Sequence, residues 1–176
     1  MSDIRLSCCV AVVAAIVLAA SPASAHITLK IKEAAVGTPY DAVFVVPHGC
    51  SGSATTRIRV QIPEGVIVEK PMPAAGWNVE SVAGKYASAY DYQGSSVSAG
   101  TKEVVWSGGN LPDHTREEFV ISTFLTSGLK PDTVLYFPTV QECEQGVSRW
   151  IDIPADPAHP HDSKWPAPSV KLLPKP

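Results

Sequence analysis

His26 directly follows Ala23-Ser24-Ala25, and that position offers it a chemistry that no internal histidine has. If the chain is cut after Ala25, His26 carries a free α-amine beside its imidazole. The amine nitrogen and ring Nδ1 can then close a chelate on one metal ion, and a nitrogen pair of that kind suits Cu(II) better than the other common divalent ions. The cut is what the preceding residues predict. A short leading region with Arg5, an apolar run from Val10 to Ala20 and the small-x-small end make residues 1–25 a secretory signal peptide. The run is too short to span a bilayer. A histidine can also follow such a site by chance, with no role, so the rest of the chain has to bear on the question.

The other residues capable of chemistry are few. Cys8 and Cys9 leave with the signal peptide, and Cys50 and Cys143 remain in an exported chain. In an oxidising compartment two cysteines most simply form one disulfide, and neither has a C-x-x-C partner that would suit thiolate metal ligation. Closing a loop of that length is worth on the order of 4 kcal/mol in the chain-entropy account. His48, His114, His159 and His161 read as loop residues, with His159-Pro160-His161 a weak secondary metal pattern. No nucleophilic triad, phosphate-binding glycine loop or paired-carboxylate pattern is present, which leaves hydrolase and nucleotide chemistry without a foothold.

Removal of residues 1–25 leaves 151 of the 176 residues, enough for one domain with a sizeable core. Asp3 and Arg5 cancel, so the formal charge stays at −3 and provides no basic field for nucleic acid. No second apolar stretch is long enough to cross a bilayer, and the expected product is a soluble periplasmic or secreted protein without a membrane anchor.

The elements that must position His26 read as strands. Ile27 to Lys32 and Thr55 to Ile62 alternate apolar and polar, and Asp41 to Val46 reads as a further strand, the last of these ending at Pro47 and Thr55 to Ile62 at Pro63. Further short strands are predicted at Val66–Val68, Trp77–Val82, Lys102–Trp106, Glu117–Ile121, Thr133–Val140 and Val147–Ile153. Tyr86 to Gly100 reads as an irregular excursion or long hairpin. No window of the mature chain combines helical caps with helical periodicity. An all-β antiparallel sandwich of the immunoglobulin or cupredoxin kind with one disulfide follows, its domain spanning 26–154. Residues 155–176 are predicted to be a proline-rich tail packed on that domain, within which Ser169 to Leu173 could add an edge strand.

Strand parity sorts the side chains. With Ile27, Leu29 and Ile31 facing the core, His26 shares the opposite face with Thr28 and Lys30. Phe119 and Ile121 facing inward send Glu118 outward, on a face that also carries Val120. Ile151 and Ile153 facing inward would send Trp150 outward with Asp152. An outward tryptophan is either a cover over a small cluster or part of a site.

Several runs together resemble the YcnI-like copper-binding domain family. They are His26-Ile27-Thr28-Leu29, Pro47-His48-Gly49-Cys50, Gln61-Ile62-Pro63-Glu64-Gly65-Val66, Gly76-Trp77, Trp106-Ser107-Gly108-Gly109, Glu118-Phe119, and Gln141-Glu142-Cys143 through Arg149-Trp150. The resemblance extends from His26 to about Pro174. It implies a β-sandwich that binds Cu(II) through a brace made by one amino-terminal histidine, assisted by a glutamate and a nearby tryptophan. By motif these roles fall on His26, Glu118 and Trp150, with Glu117 and Glu33 as neighbouring alternatives to Glu118.

What the resemblance implies is a periplasmic Cu(II)-binding protein, a copper chaperone or copper-homeostasis factor rather than an enzyme. Its partners would be the copper ion and other periplasmic or membrane copper-handling proteins. Two rival readings stand beside it. One is a copper-dependent oxygenase, which would need a second histidine, His48 or His114, to complete a three-nitrogen brace. The other is a metal-free immunoglobulin-like binding module.

Overall fold

A computed structural model describes residues 26–155 and 163–176. The predicted signal peptide and the His159-Pro160-His161 pattern lie outside the described residues. Twelve strands and no helix make up the described chain. They are β1 (Thr28–Leu29), β2 (Glu33–Ala35), β3 (Thr38–Val46), β4 (Thr55–Gln61), β5 (Val66–Pro71), β6 (Asn78–Tyr92), β7 (Ser95–Leu111), β8 (Glu117–Leu125), β9 (Val134–Tyr136), β10 (Thr139–Cys143), β11 (Val147–Trp150) and β12 (Ser169–Leu173).

Two antiparallel sheets face each other, ordered β1-β3-β8-β5 and β11-β10-β4-β7-β6. Their facing residues form the core, because alternate side chains of each strand point to one side only. Ala42, Phe44 and Val46 of β3, Phe119 and Ile121 of β8, Ile58 and Val60 of β4, and Val104 and Trp106 of β7 are all fully buried there. The segment from Tyr86 to Gly100, read as an irregular excursion or long hairpin, is a hairpin: β6 and β7 pair antiparallel around Gln93-Gly94, both of which have positive φ. Glycine and a tolerant polar residue suit that tight turn, whose hand matches the twist of the flanking strands.

Two elements differ from the sequence reading. The first strand ends at Leu29, and Ile31 is 45% exposed rather than in the core. Ser169–Leu173, expected at an edge within a surface tail, is the middle strand of a third sheet ordered β2-β12-β9. It runs parallel to β2 and antiparallel to β9, and buries Val170 and Leu172 in the main core. The alternation of Val170 and Leu172 with Lys171 supplies an apolar face, and the long return of the chain delivers that face to the sandwich.

The disulfide between Cys50 and Cys143 ties the loop after β3 to the end of β10. Close packing elsewhere is set by glycine. A Cβ at Gly109 would run into the Trp77 ring. Gly109→Ala is therefore expected to destabilise the fold by about 1–3 kcal/mol through overpacking, read as a lowered urea midpoint with unchanged slope.

Candidate metal centre at the His26 edge

β1 and β11 are edge strands of the two facing sheets, and His26 bridges toward the second of them. Its ring lies 5.4 Å from the Trp150 indole, centroid to centroid, with the planes at 81°. This edge-on arrangement is a favoured one for aromatic rings. His26 precedes β1 in a bend, where strand parity no longer dictates which way a side chain points, and this lets the ring reach an inner neighbour while Ile27 and Leu29 stay buried.

Trp150 does not face outward, which corrects the parity expectation. It is 3% exposed, whereas Ile151 is 41% and Ile153 59% exposed. The inward residues of β11 are Ser148 and Trp150, and the strand ends before Ile151. The two isoleucines suggested the opposite phase because they look like core residues, but they lie beyond the ladder.

The position of Trp150 is set by a residue of the same family motif to which the sequence assigned no role. Gln141 of β10 is buried, and its Oε1 accepts a hydrogen bond from Trp150 Nε1 at 3.1 Å. Its Nε2 donates to the His48 carbonyl oxygen and to Thr55 Oγ1, each at 2.8 Å. A buried amide with both ends satisfied rigidifies its surroundings, because any rotation would leave a buried polar group unpaired. The available signal was Gln141 sitting in phase with Thr139 at inward positions of a strand that opposes β4.

Glu118 sits on the outer side of the first sheet. The registers place Thr28 opposite Val45, and Val45 opposite Glu118, so the glutamate lies two strands from the start of the chain's first strand. Its two oxygens accept from Lys30 Nζ at 2.9 Å and from Arg116 at 2.8 Å. The Lys30 bond, then the Arg116 bond, hold its carboxyl below the usual carboxylate range. Among the described residues, Glu118 and His26 make no hydrogen bond or ion pair with each other. Glu117 accepts from Trp77 Nε1 at 3.1 Å and Glu33 lies 3.5 Å from Lys171 Nζ, so the neighbouring glutamates are engaged elsewhere.

His48 follows β3, at the end of the first sheet where β1 begins. Its Nδ1 donates to the Gly49 carbonyl oxygen at 2.6 Å and lies 3.7 Å from Asp113 Oδ1. Among the described residues, no group of three or more His, Cys, Asp or Glu side chains converges as a metal cage.

A two-sheet antiparallel sandwich stapled by one disulfide defines the class: this is an immunoglobulin-like β-sandwich protein. A solved structure of an uncharacterized protein from Nocardia farcinica, described as having an immunoglobulin-like fold, is similar to it with a TM-score of 0.64. The two are 22% identical, over 85% of this chain and 99% of that one, a likeness that speaks to the fold alone. Residues 26–172 match the family described as Domain of unknown function, DUF1775, which is the YcnI family domain, and the chain belongs to that family. No curated protein matches the chain.

Proposed function

We propose that this protein binds Cu(II) outside the cytoplasm through His26 once residues 1–25 have been removed, and that it holds or passes copper on rather than catalysing a reaction. The observation that carries this reading is the packing of the His26 ring on a buried, hydrogen-bonded indole. The α-amine and ring Nδ1 of His26 would supply the chelate, a donor set that favours Cu(II) because it contains no thioether or thiolate. Trp150, a poor ligand, would restrict solvent access on one side of the metal and tune its environment. A carboxylate would offset copper charge. For Glu118 to serve, it must exchange Lys30 or Arg116 for the ion, and since both cations only keep it ionised, the carboxylate is already in the form a metal needs.

The direct test is an electron paramagnetic resonance spectrum of protein beginning at His26, with one equivalent of Cu(II). Nitrogen hyperfine structure from two nitrogens is the expected result, and a spectrum of free or nonspecifically bound copper would end the reading. Peroxide production with a reductant should stay at the background of a simple copper chelate, and output well above that background would favour the oxygenase reading.

Two variants probe the assisting residues. Glu118→Gln is expected to weaken Cu(II) binding by roughly 10- to 100-fold, the scale of losing a supporting partner, with the nitrogen hyperfine pattern retained. Unchanged affinity in a chelator competition would remove Glu118 from the site. Cu(II) should also quench part of the tryptophan fluorescence of the native sequence, and Trp150→Phe should lose most of that quenching while still binding copper. This variant also leaves Gln141 Oε1 without its donor, at about 1–3 kcal/mol of stability. Equal fractional quenching in the two proteins would put Trp150 away from the metal.

A further inference from the structure

Trp150 has a second aromatic neighbour. The Trp165 ring lies 4.8 Å from it, inclined at 64°, and Lys164 Nζ lies 5.4 Å from the Trp165 ring centroid. The order His26, Trp150, Trp165, Lys164 is thus a continuous row from the start of the mature chain to solvent. Trp165 belongs to no regular strand, yet hydrogen bonds fix its place. Asp152 holds it at several points. The main chains bond from Asp152 N to the Trp165 carbonyl oxygen at 3.0 Å and from Ala167 N to the Asp152 carbonyl oxygen at 2.9 Å. Asp152 Oδ2 accepts from Ser163 Oγ at 2.6 Å and from Trp165 N at 3.2 Å. Residues 163–167 are thereby fastened beside β11, immediately before β12 enters the core.

We propose that Trp165 is a positioning residue for the His26 site: clamped by Asp152, it presses on the Trp150 indole and keeps it against the His26 ring. Gln141 fixes only the Nε1 corner of that indole. A single hydrogen bond leaves a plane free to rock about it, and a second large ring packed on the indole restricts that freedom. The consequence for metal chemistry rests on the copper reading of His26. With the indole held, one approach to the His26 nitrogens stays shielded, so a bound ion leaves slowly. Without Trp165 the same ligands remain, and release quickens more than affinity falls.

The test uses protein beginning at His26, first without metal and then with one equivalent of Cu(II). In the metal-free protein, ring-proton shifts of His26 report the Trp150 ring current, and exchange of the Trp150 Nε1 proton reports the Gln141 bond. Trp165→Ala is expected to reduce the His26 ring-current shift by half or more and to speed the Nε1 exchange at least tenfold, while the Phe44 amide in the core exchanges as before. Trp165→Phe, which keeps a ring, should restore most of both. Asp152→Ala, which removes the two bonds at Oδ2 but no core side chain, should act in the same direction and serves if Trp165→Ala does not fold. With copper, removal by excess chelator should become at least fivefold faster in Trp165→Ala. If neither Trp165→Ala nor Asp152→Ala moves the His26 shifts or the Nε1 exchange, the inference is overturned. If those metal-free changes occur but the protein with an intact His26 terminus binds no copper, the positioning role stands and the copper reading falls.

Discussion

Protein whose amino terminus is extended and acetylated ahead of His26 should bind Cu(II) far more weakly than protein beginning at His26. The loss should exceed the roughly 10- to 100-fold that removing a supporting partner costs, because the extension converts one of the two chelating nitrogens to an amide. The imidazole is untouched and Trp150 keeps its place, so the fold and the thermal midpoint should not change. Acetylation matters, since a new free terminus close to a histidine can itself hold copper through the amine and an intervening amide. Metal binding releases protons from ligating nitrogens, so affinity for protein beginning at His26 should also fall as the pH is lowered. The blocked protein should show a different and weaker dependence. Equal affinity and an unchanged paramagnetic spectrum in the blocked protein would mean that the amine takes no part.

Loss of the Cys50–Cys143 bond should have the largest effect on stability. The two cysteines are 93 residues apart, and a loop of that size corresponds to about 4–5 kcal/mol in the chain-entropy account. For a chain of this length, at about 2–4 °C per kcal/mol, the thermal midpoint should fall by on the order of 10 °C in the Cys50→Ser, Cys143→Ser protein. The effect should not be purely global. Gln141 stands two residues before Cys143 and bonds both the His48 carbonyl, beside Cys50, and Trp150. Freed of the staple, this corner should show faster exchange of the Trp150 Nε1 proton at temperatures where the core is still intact. The ligand atoms of His26 are not part of the staple, so copper should still bind. A midpoint within 2 °C of the native protein would show that the unfolded chain is already constrained in other ways.

The sheet architecture was legible in the sequence because period-two alternation is local. In β4 the apolar residues fall at every second position, while β3 and β8 keep the inward series Ala42, Phe44, Val46 and Phe119, Ile121 although Val43, Val45 and Val120 stand on the other face; Glu118 faces out as read. The disulfide was legible for a different reason, since two cysteines in a chain expected to be exported have little other chemistry open to them. Alternation failed where a strand is short or ends early. In β11 the choice of phase rested on Ile151 and Ile153, and both lie past the last ladder residue. With only four residues in the ladder, the phase is decided by what lies opposite: Thr139 faces Trp150, and Gln141 faces Ser148, across a buried side of β10.

The sequence by itself determined that His26 follows a small-x-small junction, that the chain is all β, and that a glutamate of β8 stands on the outer face of its sheet. Only the tertiary structure decided that the His26 ring meets Trp150, that a buried Gln141 holds the indole, and that Trp165 arrives from the carboxy-terminal end to pack on it. These contacts join residues as far apart as 26 and 150 across the edges of two different sheets. No local period encodes such a meeting, because it depends on how the sheets are laid face to face and on where the returning chain is pinned.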